Sequence, residues 1–418
     1  MKGRRQRPEV FGVSLFLVTF FLIYGSVHVY ALLKARSALG FGWGTALALS
    51  PLLALLVAAP LLVYVFARHG MEGWARAVSW IGYVWMGLLF FFFWMSLAVD
   101  AVNLAARVAG AATGRWVFPF LIGGRAPFLA LAGLAVAFGA YAVFEAAHIR
   151  VERVRIATDK LPAGAAPLRI AQVSDVHLGL IVRDGRARAI ADLVRREKPD
   201  VFVSTGDLLD GEINHLEGLA EILRAIDAPL GKYAVTGNHE FYAGITQAVA
   251  FTRSAGFTVL RGESVVAGNA LRIAGVDDPA GAAFGVDIRR SEADALGTAR
   301  APGFTLFLKH RPWLSAASRG LFDLQLSGHT HNGQIFPFRL LVRITYPLLA
   351  GLRALDGGGF LYTSRGTGTW GPPMRFLAPP EVTIIDIEGR GAPGKFSKDN
   401  GAATRNNQLS SPNAAINS

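Results

Sequence analysis

Four stretches without a single Asp, Glu, Lys or Arg occupy the first third of the chain. They are Val10–Leu33 and the runs bounded by Arg36 and Arg68, by Arg76 and Asp100, and by Arg125 and Glu145. Crossing a bilayer core takes about 20 apolar residues at a rise of about 1.5 Å each, and all four reach that length, the last only just. Hydrocarbon offers no partner to a backbone N–H or C=O, so each stretch must be a helix that satisfies those groups internally. Pro51 and Pro60 in the second stretch are expected to kink it or mark its ends.

The first stretch follows the basic segment MKGRRQR. Signal peptides have shorter apolar cores and a small-residue cleavage site, so it reads as a retained helix. Arg4-Arg5 followed by Gln6-Arg7-Pro8 fits a twin-arginine signal poorly. Four spans put both ends of residues 1–150 on one side. That side carries ten Lys and Arg in its short segments, including Arg150, Arg153, Arg155 and Lys160, whereas the other carries five, Lys34, Arg36, Arg107, Arg115 and Arg125. The positive-inside rule then predicts a cytoplasmic C-terminal domain.

Charge is distributed to match. Residues 1–150 hold +8 of the net +12, and the +4 left to residues 151–418 offers no track for a polyanion, so nucleic acid is not an expected partner. Cysteine is absent, which excludes disulfides, thiolate metal sites and a cysteine nucleophile. His28 within the first span reads as a neutral histidine near a helix end or in a helix contact, and His69 and His148 as surface at the membrane borders. The run Phe90–Trp94 reads as lipid-facing or interfacial.

After residue 150 the pattern changes to short β-branched runs alternating with helical ones, which predicts a layered α/β domain over 151–390 and a disordered tail over 391–418. Val151–Ile156 alternates like an edge strand, Pro162–Pro167 is a turn-rich joint, and Leu168–Ser174 is a buried strand. Arg186–Lys198 has helical spacing, Asp200–Thr205 and Lys232–Thr236 are strands, and Phe304–Leu308 and Phe322–Leu326 look like strands of a second sheet half. His215 reads as surface.

Polar clusters punctuate these strands: Asp175-x-His177, Gly206-Asp207-x-x-Asp210, Gly237-Asn238-His239-Glu240, His310, and Gly328-His329-x-His331. The first three directly follow apolar strands, and open α/β sheets place ligands at strand ends. Taken singly, each is an ordinary turn or cap, with Glu240 a solvated first-turn acid. Together they offer oxygen and imidazole donors for two divalent cations, the arrangement in which one carboxylate is shared and water attacks phosphorus in line. Asp207, at the end of VFVSTGDLLD, is placed to be that carboxylate.

This ordered set of five blocks resembles the calcineurin-like metallophosphoesterase superfamily, over about residues 168–388. The resemblance implies an α/β/β/α sandwich behind the four-helix transmembrane region. It implies one metal held by Asp175, His177, Asp207 and His331, and a second by Asp207, Asn238, His310 and His329, with Mn, Fe or Zn as the ions. His239 is implied to protonate or stabilise the leaving oxygen, and Asp210 to orient His239.

The layout is similar to a narrower branch of membrane-anchored bacterial phosphoesterases, with a related transmembrane protein in animals. Asn332-Gly333-Gln334 and the glycine-rich run Ser364–Gly371 carry that likeness. The latter reads as a tight connection, or as a loop whose backbone N–H groups, with Arg365, meet phosphate. Ile335–Leu352, IFPFRLLVRITYPLLAGL, is either a hairpin packed on the core or a lip entering the membrane interface. The branch implies a multi-pass protein of the bacterial inner membrane acting on a lipid-linked or small phosphoester such as UDP-2,3-diacylglucosamine. A phosphodiesterase for soluble nucleotides, and a membrane sensor or scaffold with a phosphate-binding domain, are the competing readings.

Overall fold

The computed structural model describes residues 8–115, 121–161, 166–211, 216, 218–268, 271–286 and 291–390. The expected tail, His215 and residues 162–165 of the expected joint lie outside them. Four long helices come first: α1 (Pro8–Leu39), α2 (Trp43–Arg68), α3 (Glu72–Thr113) and α4 (Arg125–Ala147). All four are long and apolar enough to cross a membrane. Pro51 and Pro60 lie inside one continuous α2, so neither marks an end.

His28 is buried in a helix contact, its Nδ1 2.8 Å from the Tyr24 carbonyl and its Nε2 accepting from Trp85 Nε1 at 2.9 Å. Accepting at Nε2 leaves the proton on Nδ1, so the ring is neutral. Lys34 pairs with Asp100 between α1 and α3. The run Phe90–Trp94 departs from expectation. Phe91 and Phe92 are buried, and Phe91 meets Phe138 of α4 and Phe376 of the following domain at 5.9 and 5.0 Å. Lipid and protein are equally apolar, so an aromatic run cannot tell which it faces.

The domain then follows. Its first sheet contains β1 (Arg150–Thr158), β2 (Leu168–Val173), β3 (Val201–Ser204), β4 (Lys232–Ala234), β5 (Thr258–Val259) and, from the end of the described chain, β12 (Glu381–Gly389), in the order β1-β12-β2-β3-β4-β5. Strands β2 to β5 are parallel, and the alternating strand β1 forms an edge. The second sheet is built of β6 (Glu263–Ala267), β7 (Leu271–Gly275), β8 (Phe304–Leu308), β9 (Leu324–Ser327), β10 (Gly351–Ala354) and β11 (Phe360–Thr363), in the order β10-β11-β9-β8-β7-β6.

The two sheets face each other. Ile170, Val201, Val203 and Ile385 of the first share one buried cluster with Ile273, Leu306, Leu308 and Leu326 of the second. Helix α5 (Asp184–Glu197), with α6 (Leu219–Arg224) and α8 (Ile245–Ser254), covers the outer face of the first sheet; between the latter two lies the short α7 (Asn238–Tyr242). Helix α9 (Ser291–Leu296) covers the second sheet through Ala295 and Leu296. The layers are helix, sheet, sheet, helix, because a sheet buried on both faces needs apolar residues on both.

Ile335–Leu352 divides between its two readings: Ile335 and Leu349 are buried, whereas the helix between them, α10 (Phe338–Thr345), buries no residue. Phe338, Leu340, Leu341 and Ile344 are exposed, and Phe338 meets Phe90 of α3 at 6.5 Å.

Candidate metal centre

Strands β2, β3 and β4 are parallel, so the residues that leave them gather at one edge. Asp175 and His177 follow β2, Asp207 follows β3, and Asn238 and His239 open the helix after β4. His310, after β8, and His329 and His331, after β9, reach the same edge from the second sheet. The backbone is strained there. Asp175, His177, Asp207, His329 and His331 all have φ between 48° and 69°. That left-handed region costs an L-residue about 1–2 kcal/mol, and such strain survives where surroundings over-determine it, chiefly at ligand sites. Gly206 (φ 94°) permits the sharp exit from β3, and a Cβ there would stand 2.6 Å from Gly237 N.

Two sets of donors result. In the first, His177 Nε2 lies 3.1 Å from His331 Nε2 and 3.8 Å from Asp207 Oδ2, while His331 Nε2 is 3.5 Å from Asp175 Oδ1. In the second, His310 Nε2 lies 3.2 Å from Asp207 Oδ2, 3.2 Å from Asn238 Oδ1 and 3.1 Å from His329 Nδ1. Atoms held about 2.1 Å from one cation, at octahedral or tetrahedral angles, stand about 3.0–3.4 Å apart. The second set has that spacing, the first is slightly wider at 3.1–3.8 Å, and Asp207 Oδ2 belongs to both. Oxygen and imidazole donors so arranged fit two divalent cations.

His239 stands beside the first set. Its Nδ1 is 3.0 Å from Asp210 Oδ1, its backbone N–H donates to Asp207 Oδ1 at 2.9 Å, and its ring lies 4.5 Å from that of His177. The structure thus brings all nine predicted site residues together.

Electrostatics follow from burial and crowding. Burial opposes charge on His239, but Asp207 and Asp210 outweigh it and push its pKa up to about 9. Burial also opposes charge on His310, which Asp207 holds up at about 10. Burial and the neighbouring His310 push His329 down to about 2. Burial raises Asp175, whereas Asp207, despite equal burial, is held well below the usual carboxylate range by His310 and His239. Cation binding displaces protons from a donor set crowded in this way.

Two residues at the centre escape sequence reasoning. Glu240 is buried instead of solvated, and its carboxylate accepts from the N–H groups of Asp207, Leu208, Leu209 and Gly237 at 2.9, 2.8, 3.2 and 2.7 Å. It ties the loop after β3 to the loop after β4. Arg375 is fully buried, donates to the carbonyls of His331, Arg365, Gly368 and Ala378, and meets His331 Nδ1 at 3.1 Å. Burial pushes its pKa down to about 9. A charge inside the otherwise apolar Pro372–Leu377 is the signal that marks it.

The glycine-rich run serves as a tight connection, the first of its two readings. Thr367 N and Gly368 N donate to the Ser174 and Asp175 carbonyls at 2.7 and 2.9 Å. Arg365 is paired with Glu381 at 2.6 Å and Glu152 at 2.8 Å. The loop fixes the end of β2, and the N–H groups of Ser364, Arg365, Gly366, Thr367, Gly368 and Trp370, with the Arg365 side chain, are engaged inside the protein.

A two-cation donor set at the edge of two facing sheets, behind four apolar helices, defines a membrane protein with a metallophosphoesterase fold. The profile of the calcineurin-like phosphoesterase family matches residues 168–333. An uncharacterized metallophosphoesterase of Aquifex aeolicus is 42% identical over 62% of this chain and 99% of its own length. The transmembrane protein with metallophosphoesterase domain of Bos taurus is 33% identical over 57% of this chain and 57% of its own, so the chain spans less than two thirds of that relative. A solved dimetal phosphatase from Danio rerio is similar over 48% of this chain and 88% of its own, at 14% identity and a TM-score of 0.34. The chain belongs to the calcineurin-like phosphoesterase family and is a metal-dependent phosphoesterase.

Proposed function

We propose that this protein hydrolyses a phosphoester or pyrophosphate bond of a lipid-linked substrate, of the type of UDP-2,3-diacylglucosamine, on the cytoplasmic face of a bacterial inner membrane. One observation carries the lipid reading. Helix α10 begins seven residues after His331, exposes Phe338, Leu340, Leu341 and Ile344, and leans on α3. An amphipathic helix of this kind lies in the headgroup zone, where Arg339 and Arg343 suit headgroup phosphate. The excess of Lys and Arg on the domain's side supports the cytoplasmic placement.

In this reading Asp175, His177, Asp207 and His331 hold one divalent cation, and Asp207, Asn238, His310 and His329 the other, with Mn, Fe and Zn all suited to the set. Two such ions, when bound, supply Lewis-acid charge at the phosphate and make water a nucleophile at neutral pH. The Asp210 carboxylate beside its Nδ1 favours the protonated form of His239. Asp210 accepts from Nδ1, which leaves the Nε2 proton for the leaving oxygen. Water oxygen bonds to phosphorus, the bond to the leaving oxygen breaks, and that oxygen takes the proton of His239, which the attacking water replaces.

The test is the full chain purified in detergent with Mn²⁺ and offered UDP-2,3-diacylglucosamine, bis(p-nitrophenyl) phosphate and a cyclic nucleotide in parallel. The sugar lipid is expected to exceed both others in kcat/KM by at least about tenfold. Preference for the water-soluble esters would count against a lipid-linked substrate.

A further inference from the structure

The cavity that opens on the candidate metal centre is walled on its far side by two of the apolar helices. It measures ≈160 Å³ and lies between His177 and Asp210 of the centre, Val63 and Tyr64 of α2, and Ser79 and Tyr83 of α3. An apolar cavity of about 150 Å³ takes a benzene-sized guest, so this one has room for a short stretch of chain. Helices α3 and α4 are held in register with the centre at several points. Glu72 accepts from Arg183 at 2.5 Å, Arg375 N donates to the Ala142 carbonyl at 2.9 Å, and Ala378 N donates to Glu145 at 3.2 Å. Gly87 packs against Met374, and a Cβ there would meet its sulfur at 2.3 Å. Arg375 thus joins the two parts of the molecule, touching α4 through its backbone and His331 through its guanidinium.

We infer that the cavity between α2, α3 and the His177–Asp210 side of the centre is the subsite for the lipid-bearing substituent of the scissile phosphate, and that the first carbons of its chain lie between Val63 and Ser79. The four helices then shape the active site as well as anchor it. The inference rests on the proposed lipid-linked substrate and adds the place where the chain binds. Continuity with the centre is what commits the cavity to this occupant: a phosphate held by the two donor sets has its substituent within reach of the helical wall, where Pro60 and Val63 face Leu180, Ile181 and Val182 as apolar surface, beside the hydroxyls of Tyr64, Ser79 and Tyr83.

The experiment compares uridine diphosphate esters of tetradecyl and ethyl alcohol, with UMP release measured for the full chain in nanodiscs with Mn²⁺. In the wild type the tetradecyl ester is expected to win in kcat/KM by at least about tenfold. Val63→Trp and Ser79→Trp, which fill the cavity, are expected to bring that ratio close to one. A flat wild-type profile would remove the lipid reading and this subsite with it. A long-chain preference that survives in both variants would overturn the subsite alone. Variants that lose bound metal are replaced by a measurement on the wild type, photolabelling with a phosphonate analogue whose alkyl chain carries a diazirine. Labels in the α2 and α3 peptides support the subsite, and labels confined to α10 overturn it.

Discussion

Asp207 is where the two donor sets meet, since its Oδ2 lies 3.2 Å from His310 and 3.8 Å from His177. Asp207→Ala is expected to abolish turnover, a loss of more than about 10³-fold, with the fold retained by circular dichroism. His239 touches no donor set directly through its ring nitrogens but is oriented by Asp210 at 3.0 Å. His239→Ala should keep its metal by elemental analysis and lose about 10²–10⁴-fold in rate; an unchanged rate would refute the proton-donor role. Glu240 belongs to the scaffold. Glu240→Gln sets an amide N–H against buried backbone donors, and thermal unfolding should show a loss of about 1–3 kcal/mol. Stability equal to the wild type would mean that the four N–H groups find other acceptors.

Among the elements, α2 and α3 depend on close approach. A Cβ at Gly82 would stand 2.5 Å from Ala59 Cβ, so Gly82→Leu must push the helices apart. Overpacking of this kind costs about 1–3 kcal/mol, readable as a lower Tm in detergent. Because α2 and α3 also wall the active-site cavity, the same variant should alter chain-length preference; a change in Tm alone would separate the helix pair from the site. Helix α10 makes the opposite case. Its residues are exposed where a soluble domain would bury or replace them, which fits a surface finished by the membrane.

At the scale of the molecule, metal and fold are expected to be linked, because the cations bind a site assembled from both sheets. A ligand present at about 1,000 times its dissociation constant stabilises the native state by about 4 kcal/mol. Dialysis against EDTA should therefore abolish activity and lower Tm, and Mn²⁺ should restore both; a Tm and rate indifferent to chelation would remove the metal centre. Much of this architecture was legible beforehand. The four spans and the strands carrying Asp175, Asp207 and Asn238 were read from local pattern, because run length and strand-end chemistry are written in consecutive residues. What the sequence alone determined is which segments are apolar enough to leave water and which donors stand at strand ends. Only the tertiary structure decided that Phe91 faces protein, that Glu240 binds three distant N–H groups of the loop after β3, that Arg365 is taken by Glu381 and Glu152, and that Val63 and Tyr64 line the cavity of Asp210. Those facts depend on which segments meet after folding, and contacts between residues so far apart in the chain leave no trace in local pattern.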